Sequence, residues 1–314
     1  MKSGKQPLLT GKKIVQAALT IIILAIGIYY LYLNRAQFQV IKNVEARTVS
    51  LIFFFYLLHF YASGYTFKLL LGLIDVKLTI FETFGLSILT SFGNYFGPFR
   101  SGAMLKAIYL KTSKGLEFGK FTSVFTANIF IAFFVFGSTG LSLLLLLKSE
   151  SAHIPMVLYI VSAGLISVSF LPFVFKISGM KPGNKVTRFF LSVIEGMTKI
   201  KSQSAQLIFV CITFFVQFVI ISLILALTYK AIGFPISFLN ALTVSVFLSI
   251  SNIFSITPNN IGIQEAVIGY LFTLTGHDFQ TGVIGASLIR VVHMIITFTC
   301  APVFSHFLMK TKIG

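Results

Sequence analysis

Along the chain, long apolar runs alternate with short polar or glycine-containing breaks. Six of the runs are long enough to cross a bilayer as helices, which takes about 20 residues. They fall at about 14–33, 49–73, 121–147, 154–176, 206–229 and 282–309. Two more stretches, 79–97 and 238–257, run into a break and continue as shorter apolar pieces, 101–111 and 261–274. The breaks read Asn94-Tyr95-Phe96-Gly97-Pro98-Phe99-Arg100-Ser101-Gly102 and Asn252-Ile253-Phe254-Ser255-Ile256-Thr257-Pro258-Asn259-Asn260-Ile261-Gly262. Each broken stretch is either an ordinary crossing followed by a surface loop or a re-entrant hairpin whose two arms enter and leave on one side.

Charge separates these readings. If 79–97 simply crossed, Lys111, Lys114 and Lys120 would lie outside, together with the block Lys176, Lys181, Lys185, Arg188, Lys199 and Lys201. That violates the excess of Lys and Arg expected on the cytoplasmic side. With two hairpins, both groups join Lys68, Lys77, Lys310, Lys312 and the N-terminal lysines in the cytoplasm, while Arg35, Lys42, Arg47, Lys148 and Lys230 stay outside. The pattern therefore predicts an all-α polytopic membrane protein of about six full transmembrane helices plus two re-entrant hairpins. It forms a single integral membrane domain, 1–314, in the plasma (inner) membrane, with both termini cytoplasmic. In each hairpin the first arm outreaches the return arm at about 1.5 Å per residue, so tilt or an unwound tip must absorb the difference.

Composition agrees and excludes other classes. The chain is 56% hydrophobic with a mean hydropathy of +0.93, and its 11% charged residues fall far below the roughly 25% of soluble domains. A soluble enzyme is excluded. The 25 Lys and Arg against 8 Asp and Glu give a net charge of +17, which fits loops facing anionic lipid rather than a nucleic-acid footprint. Lys2, Lys5, Lys12 and Lys13 precede a run too long for a signal-peptide core and without a small-residue cleavage site, so 14–33 reads as a retained span. Cys211 and Cys300 lie inside apolar runs without metal or disulfide spacing. No catalytic, nucleotide-binding or metal motif is present, and no cofactor is expected.

The two halves, 1–150 and 151–314, resemble one another at an offset near 158–161. Ser87, Ser91, Asn94, Phe96, Pro98, Gly102, Gly115 and Phe118 align in order with Ser245, Ser249, Asn252, Phe254, Pro258, Gly262, Gly276 and Phe279. The charge topology makes these halves inverted, an architecture in which broken helices meet at the midplane around a transported substrate.

The breaks carry the candidate chemistry. Ser87, Ser91 and Asn94, like Ser245, Ser249 and Asn252, share one helical face at i, i+4, i+7. Such stripes either bond neighbouring helices or line a water-filled headgroup cavity. A half-helix starting after each proline offers backbone N–H groups and a positive dipole end to a phosphate. Thr257, Asn259 and Asn260 add capping oxygens or amide donors there, and Gly97, Gly102 and Gly262 permit close approach. Ionisable residues at membrane depth are costly and mark function by default. Arg100 sits at the first tip, with no assured carboxylate in its own half. Lys106 follows on the return arm, where snorkelling to the cytoplasm is the alternative. Glu265 lies one turn into the second return arm, and Arg290 and His293 share a face of the last span. Glu265 and Arg290 either neutralise each other or serve a ligand. Glu82, near the cytoplasmic entrance, and His59, mid-span, have no assigned role.

At these residues the chain resembles the flippase-like membrane-domain family, the transmembrane region of lysylphosphatidylglycerol synthetases and its stand-alone relatives. The resemblance rests on Pro98-x-Arg100-x-Gly102-x-x-x-Lys106-Ala107-x-Tyr109-Leu110 and on Pro258-x-x-x-Gly262-x-x-Glu265-Ala266, followed by Arg290. It implies translocation or handling of a lipid headgroup, with Arg100, Pro258, Gly262, Glu265 and Arg290 as site residues. The cytosolic aminoacyl-transferase domain of the two-part enzymes is missing from the sequence. Together with Asn94, Lys106, Asn252, Asn259 and Asn260, these residues form the expected headgroup site. The expected partners are membrane lipids with an anionic or zwitterionic headgroup, such as a phospholipid or a polyprenyl- or hopanoid-linked lipid, and no nucleic acid. The alternative is a membrane-embedded lipid-modifying transferase or its accessory subunit. The sequence carries no signal for oligomeric state.

Overall fold

The computed structural model describes residues 44–97, 100–148, 154–171, 184–253 and 255–310, with the single positions 32 and 39. All regular structure among them is helical: α1 (Ala46–Gly72), α2 (Ile80–Asn94), α3 (Gly102–Lys114), α4 (Phe118–Lys148), α5 (Met156–Ser169), α6 (Lys185–Lys201), α7 (Ser204–Ala231), α8 (Phe238–Ile253), α9 (Ile263–Thr273) and α10 (Phe279–Lys310), with a 3-10 turn at Pro258–Asn260 between α8 and α9. Four of these helices, α1, α4, α7 and α10, contain stretches long and apolar enough to cross a membrane. They correspond to the expected spans 49–73, 121–147, 206–229 and 282–309. Apart from position 32, the expected span 14–33 lies outside the described residues. Of 154–176, residues 154–171 are described, and α5 takes up 14 of them.

Local chemistry sets where the shorter helices begin and end. Thr79 and Glu82 form a reciprocal capping box at the start of α2, with Glu82 N–H donating to Thr79 Oγ1 at 3.1 Å and Thr79 N–H to Glu82 Oε2 at 2.8 Å. Gly115, at φ 67°, closes α3 in the left-handed conformation that glycine adopts without a Cβ clash. These boundaries correct the expected arms 79–97 and 101–111. The helices have 15 and 13 residues, roughly 22 and 20 Å at 1.5 Å per residue, so they nearly match and the anticipated length difference shrinks.

The two helices run antiparallel along their length. Near the tip, a Cβ on Gly93 would lie 2.7 Å from Gly102 Cα. At the opposite end Glu82 accepts from Tyr109 Oη at 2.7 Å and pairs with Lys114 Nζ at 2.7 Å. In the second broken stretch, α8 and α9 have 16 and 11 residues, and the intervening turn folds back so that Asn260 Nδ2 reaches Ser251 O at 3.3 Å.

The segment 184–201 carries Lys185, Arg188, Lys199 and Lys201 of the basic block expected in the cytoplasm. It forms α6, opened by a capping box between Asn184 and Thr187. Ser192, Gly196 and Ile200 are buried at helical spacing, with Gly196 against Ser123 and Ser192 against Gly119 of α4. Lysines and arginine at both ends obscure that short apolar stripe in a charge-based reading.

The long helices enclose the core. α1 lies along α7, where Thr66 Oγ1 meets Thr213 Oγ1 at 2.8 Å and Gln217 Nε2 donates to Thr66 Oγ1 at 2.9 Å. α10 packs on α2 and α9, and α4 on α5, α6 and α8. Tyr229 of α7 is fully buried against Phe272 and donates from Oη to Gly282 O at 2.6 Å. This interlock seats α9 and α10 and so positions one wall of the central cavity.

Candidate functional site

Between the two broken stretches and the long helices lies a cavity of about 350 Å³. At its floor the two tips touch: Arg100 Nη2 donates to Asn252 O at 3.1 Å, a contact between residues 152 positions apart. Both tips use backbone conformations that side chains rarely adopt. Arg100 has φ 56°, Asn259 46° and Asn260 53°, each costing about 1–3 kcal/mol. Such strain persists where surrounding contacts hold it, and here the tips are held by their own polar side chains.

Those contacts bear on the helix-start phosphate sites expected from the sequence. At the first tip, Gly102 N–H donates to Asn94 Oδ1 at 2.9 Å, and Ser101 Oγ donates to Gly93 O at 2.7 Å. At the second, Gly262 N–H donates to Glu265 Oε2 at 2.8 Å, while Asn260 Oδ1 accepts from Ile256 N–H at 3.2 Å. Gly102 N–H and Gly262 N–H thus already have acceptors within the protein, which takes these two donors out of the expected anion sites. Pro98 lies outside the described residues. Pro258 opens the 3-10 turn that carries Asn259 and Asn260.

Among the described residues, Arg290 is the most fully bonded cation. Its Nε pairs with Glu265 Oε1, Nη1 donates to Asn259 O at 3.1 Å, and Nη2 donates to Gln264 Oε1 at 2.9 Å. The two side chains are only 11% and 14% exposed. This geometry ties α10 to the second tip, and Glu265 bridges Arg290 and the Gly262 N–H.

Lys106 and Arg100 differ from Arg290. Both line the cavity, and neither has a carboxylate partner among the described residues. Lys106 Nζ stands 4.1 Å from the centre of the Phe67 ring, a cation–π contact that leaves its charge uncompensated. The lining contains Arg100, Lys106 and Arg290 and no Asp or Glu. With Arg290 matched by Glu265 from behind the wall, two positive charges face the cavity.

Of the residues singled out in the sequence, Asn94, Arg100, Lys106, Asn252, Asn259, Asn260 and Arg290 line the cavity together, whereas Pro258, Gly262 and Glu265 stand behind it. The serine stripes split. Ser87 and Ser91 face the cavity with Asn94, and Ser249 with Asn252, but Ser245 bonds Ser222 at 3.0 Å as a buried interhelical contact.

Sequence reasoning left several lining groups without a role. His293 is held by Ser91 Oγ at 3.1 Å and Tyr95 Oη at 2.8 Å, with its ring stacked on Phe60. His59, Ser63, Asn128 and Gln217 also line the space. Asn128 and Gln217 are isolated amides within otherwise apolar runs, and that isolation was the available signal.

A family model described as "Lysylphosphatidylglycerol synthase TM region" matches residues 15–301. Comparison with curated proteins finds no match.

Proposed function

Starting from a chain that belongs to the lysylphosphatidylglycerol synthase transmembrane-region family and is an integral membrane protein, we propose that it is a lipid translocase. A phospholipid or polyprenyl- or hopanoid-linked headgroup passes through the cavity between two re-entrant hairpins, α2–α3 and α8–α9, while its tails stay in lipid. The observation that carries this reading is the pair of unneutralised cations, Arg100 and Lys106, in a cavity without carboxylates where the two tips meet.

Two features support the hairpins and the inverted repeat of 1–150 and 151–314. None of α2, α3, α8 and α9 reaches the roughly 20 residues of a crossing helix. Much of the packing also maps onto itself when α1, α2, α3 and α4 are exchanged with α7, α8, α9 and α10: α2 lies on α10 as α8 lies on α4, and α1 on α2 as α7 on α8, although α9 packs far more extensively on α10 than α3 does on α4. Rocking of such halves would expose the cations to each leaflet in turn.

Orientation has a direct test. In a background with Cys211 and Cys300 replaced by Ala, Ser113→Cys and Gln203→Cys are expected to react only from the cytoplasmic side of the plasma membrane. Asn43→Cys and Ala152→Cys are expected to react from outside. Labelling of position 113 from outside would remove the first hairpin and, with it, the inverted repeat.

Transport is tested by reconstituting the full chain into liposomes with fluorescent phospholipids or polyprenyl phosphates and following both leaflet and mass. A translocase moves label without changing its mass, whereas a transferase changes it. Arg100→Ala is expected to slow movement by about tenfold to a hundredfold, the worth of a hydrogen bond to a charged group. Arg100→Lys should restore part of the rate, since it keeps the charge but lacks the planar fork. Normal transport by Arg100→Ala at unchanged protein level and thermal stability would dismiss the site.

A further inference from the structure

We infer that His293 is a proton site linked to the headgroup: it takes up one proton when an anionic headgroup enters the cavity and gives it up when the headgroup leaves, so that lipid and proton cross together. The inference rests on the translocase reading for its setting, and on the hydrogen bonds and charges around His293 for its content.

The hydrogen bonds accept either protonation state. His293 Nε2 lies 3.1 Å from Ser91 Oγ and Nδ1 2.8 Å from Tyr95 Oη, both of the first broken stretch. Its ring packs against Tyr56 and Phe60 of α1, with centroids 5.4 Å from each. A neutral imidazole donates from one nitrogen and accepts at the other, whereas an imidazolium donates from both. Both partners here are hydroxyls, which serve either way. On uptake, the accepting nitrogen gains its N–H from a hydrated proton in the cavity, and the hydroxyl facing it turns from donor to acceptor. Where that hydroxyl is Tyr95, its hydrogen can turn to Asn259 of the second tip, which the Tyr95 side chain also reaches. The proton site thus sits at the joint between the two tips, whose rearrangement transport requires.

The surrounding charges link the proton to the headgroup. The titratable neighbours are Tyr56 and His59 from α1, Tyr95, Arg100 and Lys106 from the first broken stretch, Glu265 from α9 and Arg290 from α10. α4, α7 and α8 add no titratable side chain to the described lining. Glu265 is committed to Arg290 and to Gly262 N–H, so it does not serve an imidazolium. In the empty cavity a proton on His293 would be a third like charge beside Arg100 and Lys106, in a confined space where screening is weak. A phosphate diester cancels one charge, and the proton then restores the total of the empty cavity. Headgroup and proton therefore favour each other's binding by the same factor. His59 is the competing imidazole of the lining, but its buried Nδ1 has no acceptor in place.

A monoanion and a proton moving together carry no net charge. A monoanionic headgroup moving alone would be driven about fiftyfold toward the positive side by 100 mV. Moving with a proton, it should ignore the potential and follow the pH difference.

Two measurements on the purified full chain test this, with phosphatidylglycerol, a monoanion, as the probe. In unbuffered detergent solution with an indicator dye, binding should remove about one proton per headgroup bound. Retention should then weaken as pH rises through the imidazole range of about 5 to 8, by up to about tenfold per pH unit, the slope of one linked proton. In liposomes carrying the fluorescent lipid, with the potential clamped at zero, a difference of one pH unit should concentrate the label about tenfold in the leaflet facing the alkaline side. A potential of about 100 mV at equal pH should leave the label evenly distributed. His293→Gln, whose amide still donates to one hydroxyl and accepts from the other, should abolish the uptake and hold retention at the alkaline level of the unsubstituted chain at every pH. If that variant does not fold, the response of the unsubstituted chain to the pH difference and to the potential decides.

Uptake that survives in His293→Gln places the proton on another group, such as Lys106 or His59, and overturns the assignment. Label that follows the potential and ignores the pH difference overturns the inference and leaves the translocase reading standing. Proton uptake on binding without movement between leaflets sinks the translocase reading and keeps the linked proton site. Neither binding nor movement overturns both.

Discussion

Arg290→Met is expected to destabilise the protein by about 3–5 kcal/mol, the cost of breaking a buried ion pair by removing one partner. The substitution leaves the Glu265 carboxylate with the Gly262 N–H as its remaining hydrogen-bond donor. It also strips Asn259 O and Gln264 Oε1 of the guanidinium donors they accept from. Glu265→Gln should cost less: the amide oxygen can still accept from Gly262 N–H, but the Arg290 charge loses its counter-ion. Because the two residues act as one unit, the double variant should recover much of the loss. Equilibrium unfolding in mixed micelles with rising SDS content would measure all three. Additive losses in the double variant would show that the pair is not coupled. A Glu265→Gln protein of normal stability that has lost lipid transport would instead assign the carboxylate to the transported headgroup or a coupling proton.

Gly102→Ala is the second large effect, and it tests the first hairpin without touching a charge. A Cβ on Gly102 would lie 1.7 Å from Thr90 O and 2.8 Å from Asn94 Oδ1. The first of these is backbone inside α2, which cannot rotate away as a side chain could, so the two arms must separate. Separation breaks the Asn94–Gly102 bond and displaces Arg100, two residues earlier. A loss of about 3 kcal/mol or more is expected, at or above the upper end for overpacking, with reduced lipid transport in whatever protein folds. Gly164→Ala in α5 is the control: a Cβ there meets nothing within 4 Å. It should be neutral or stabilise by up to about 1 kcal/mol, since alanine is the better helix former. Equal stability of the two variants in the same unfolding assay would refute the close approach of α2 and α3.

The helical, membrane-embedded character of the chain was legible in the sequence, as were the four long spans and the places where helices break. Hydropathy, proline and glycine act within about a turn of their own position, so a linear reading captures them. The candidate ions at the breaks were legible for a related reason: a charge inside an apolar run stands out wherever the run folds. Helix α6 was not legible, because its apolar stripe is short and bounded by lysines.

What each ion does was decided only by tertiary structure. Arg290 meets Glu265 across 25 residues, and His293 meets Ser91 across 202. Neither separation follows from any local period. Arg100 faces the cavity uncompensated and Arg290 neutralised, although both are arginines at membrane depth, and only the packing of α9 against α10 separates their roles. The sequence by itself determined where polar groups would be buried in an apolar surrounding. The fold determined which of them satisfy each other and which face the cavity without a carboxylate partner among the described residues, because a charge or hydrogen bond is settled by its nearest neighbours in space, whichever part of the chain supplies them.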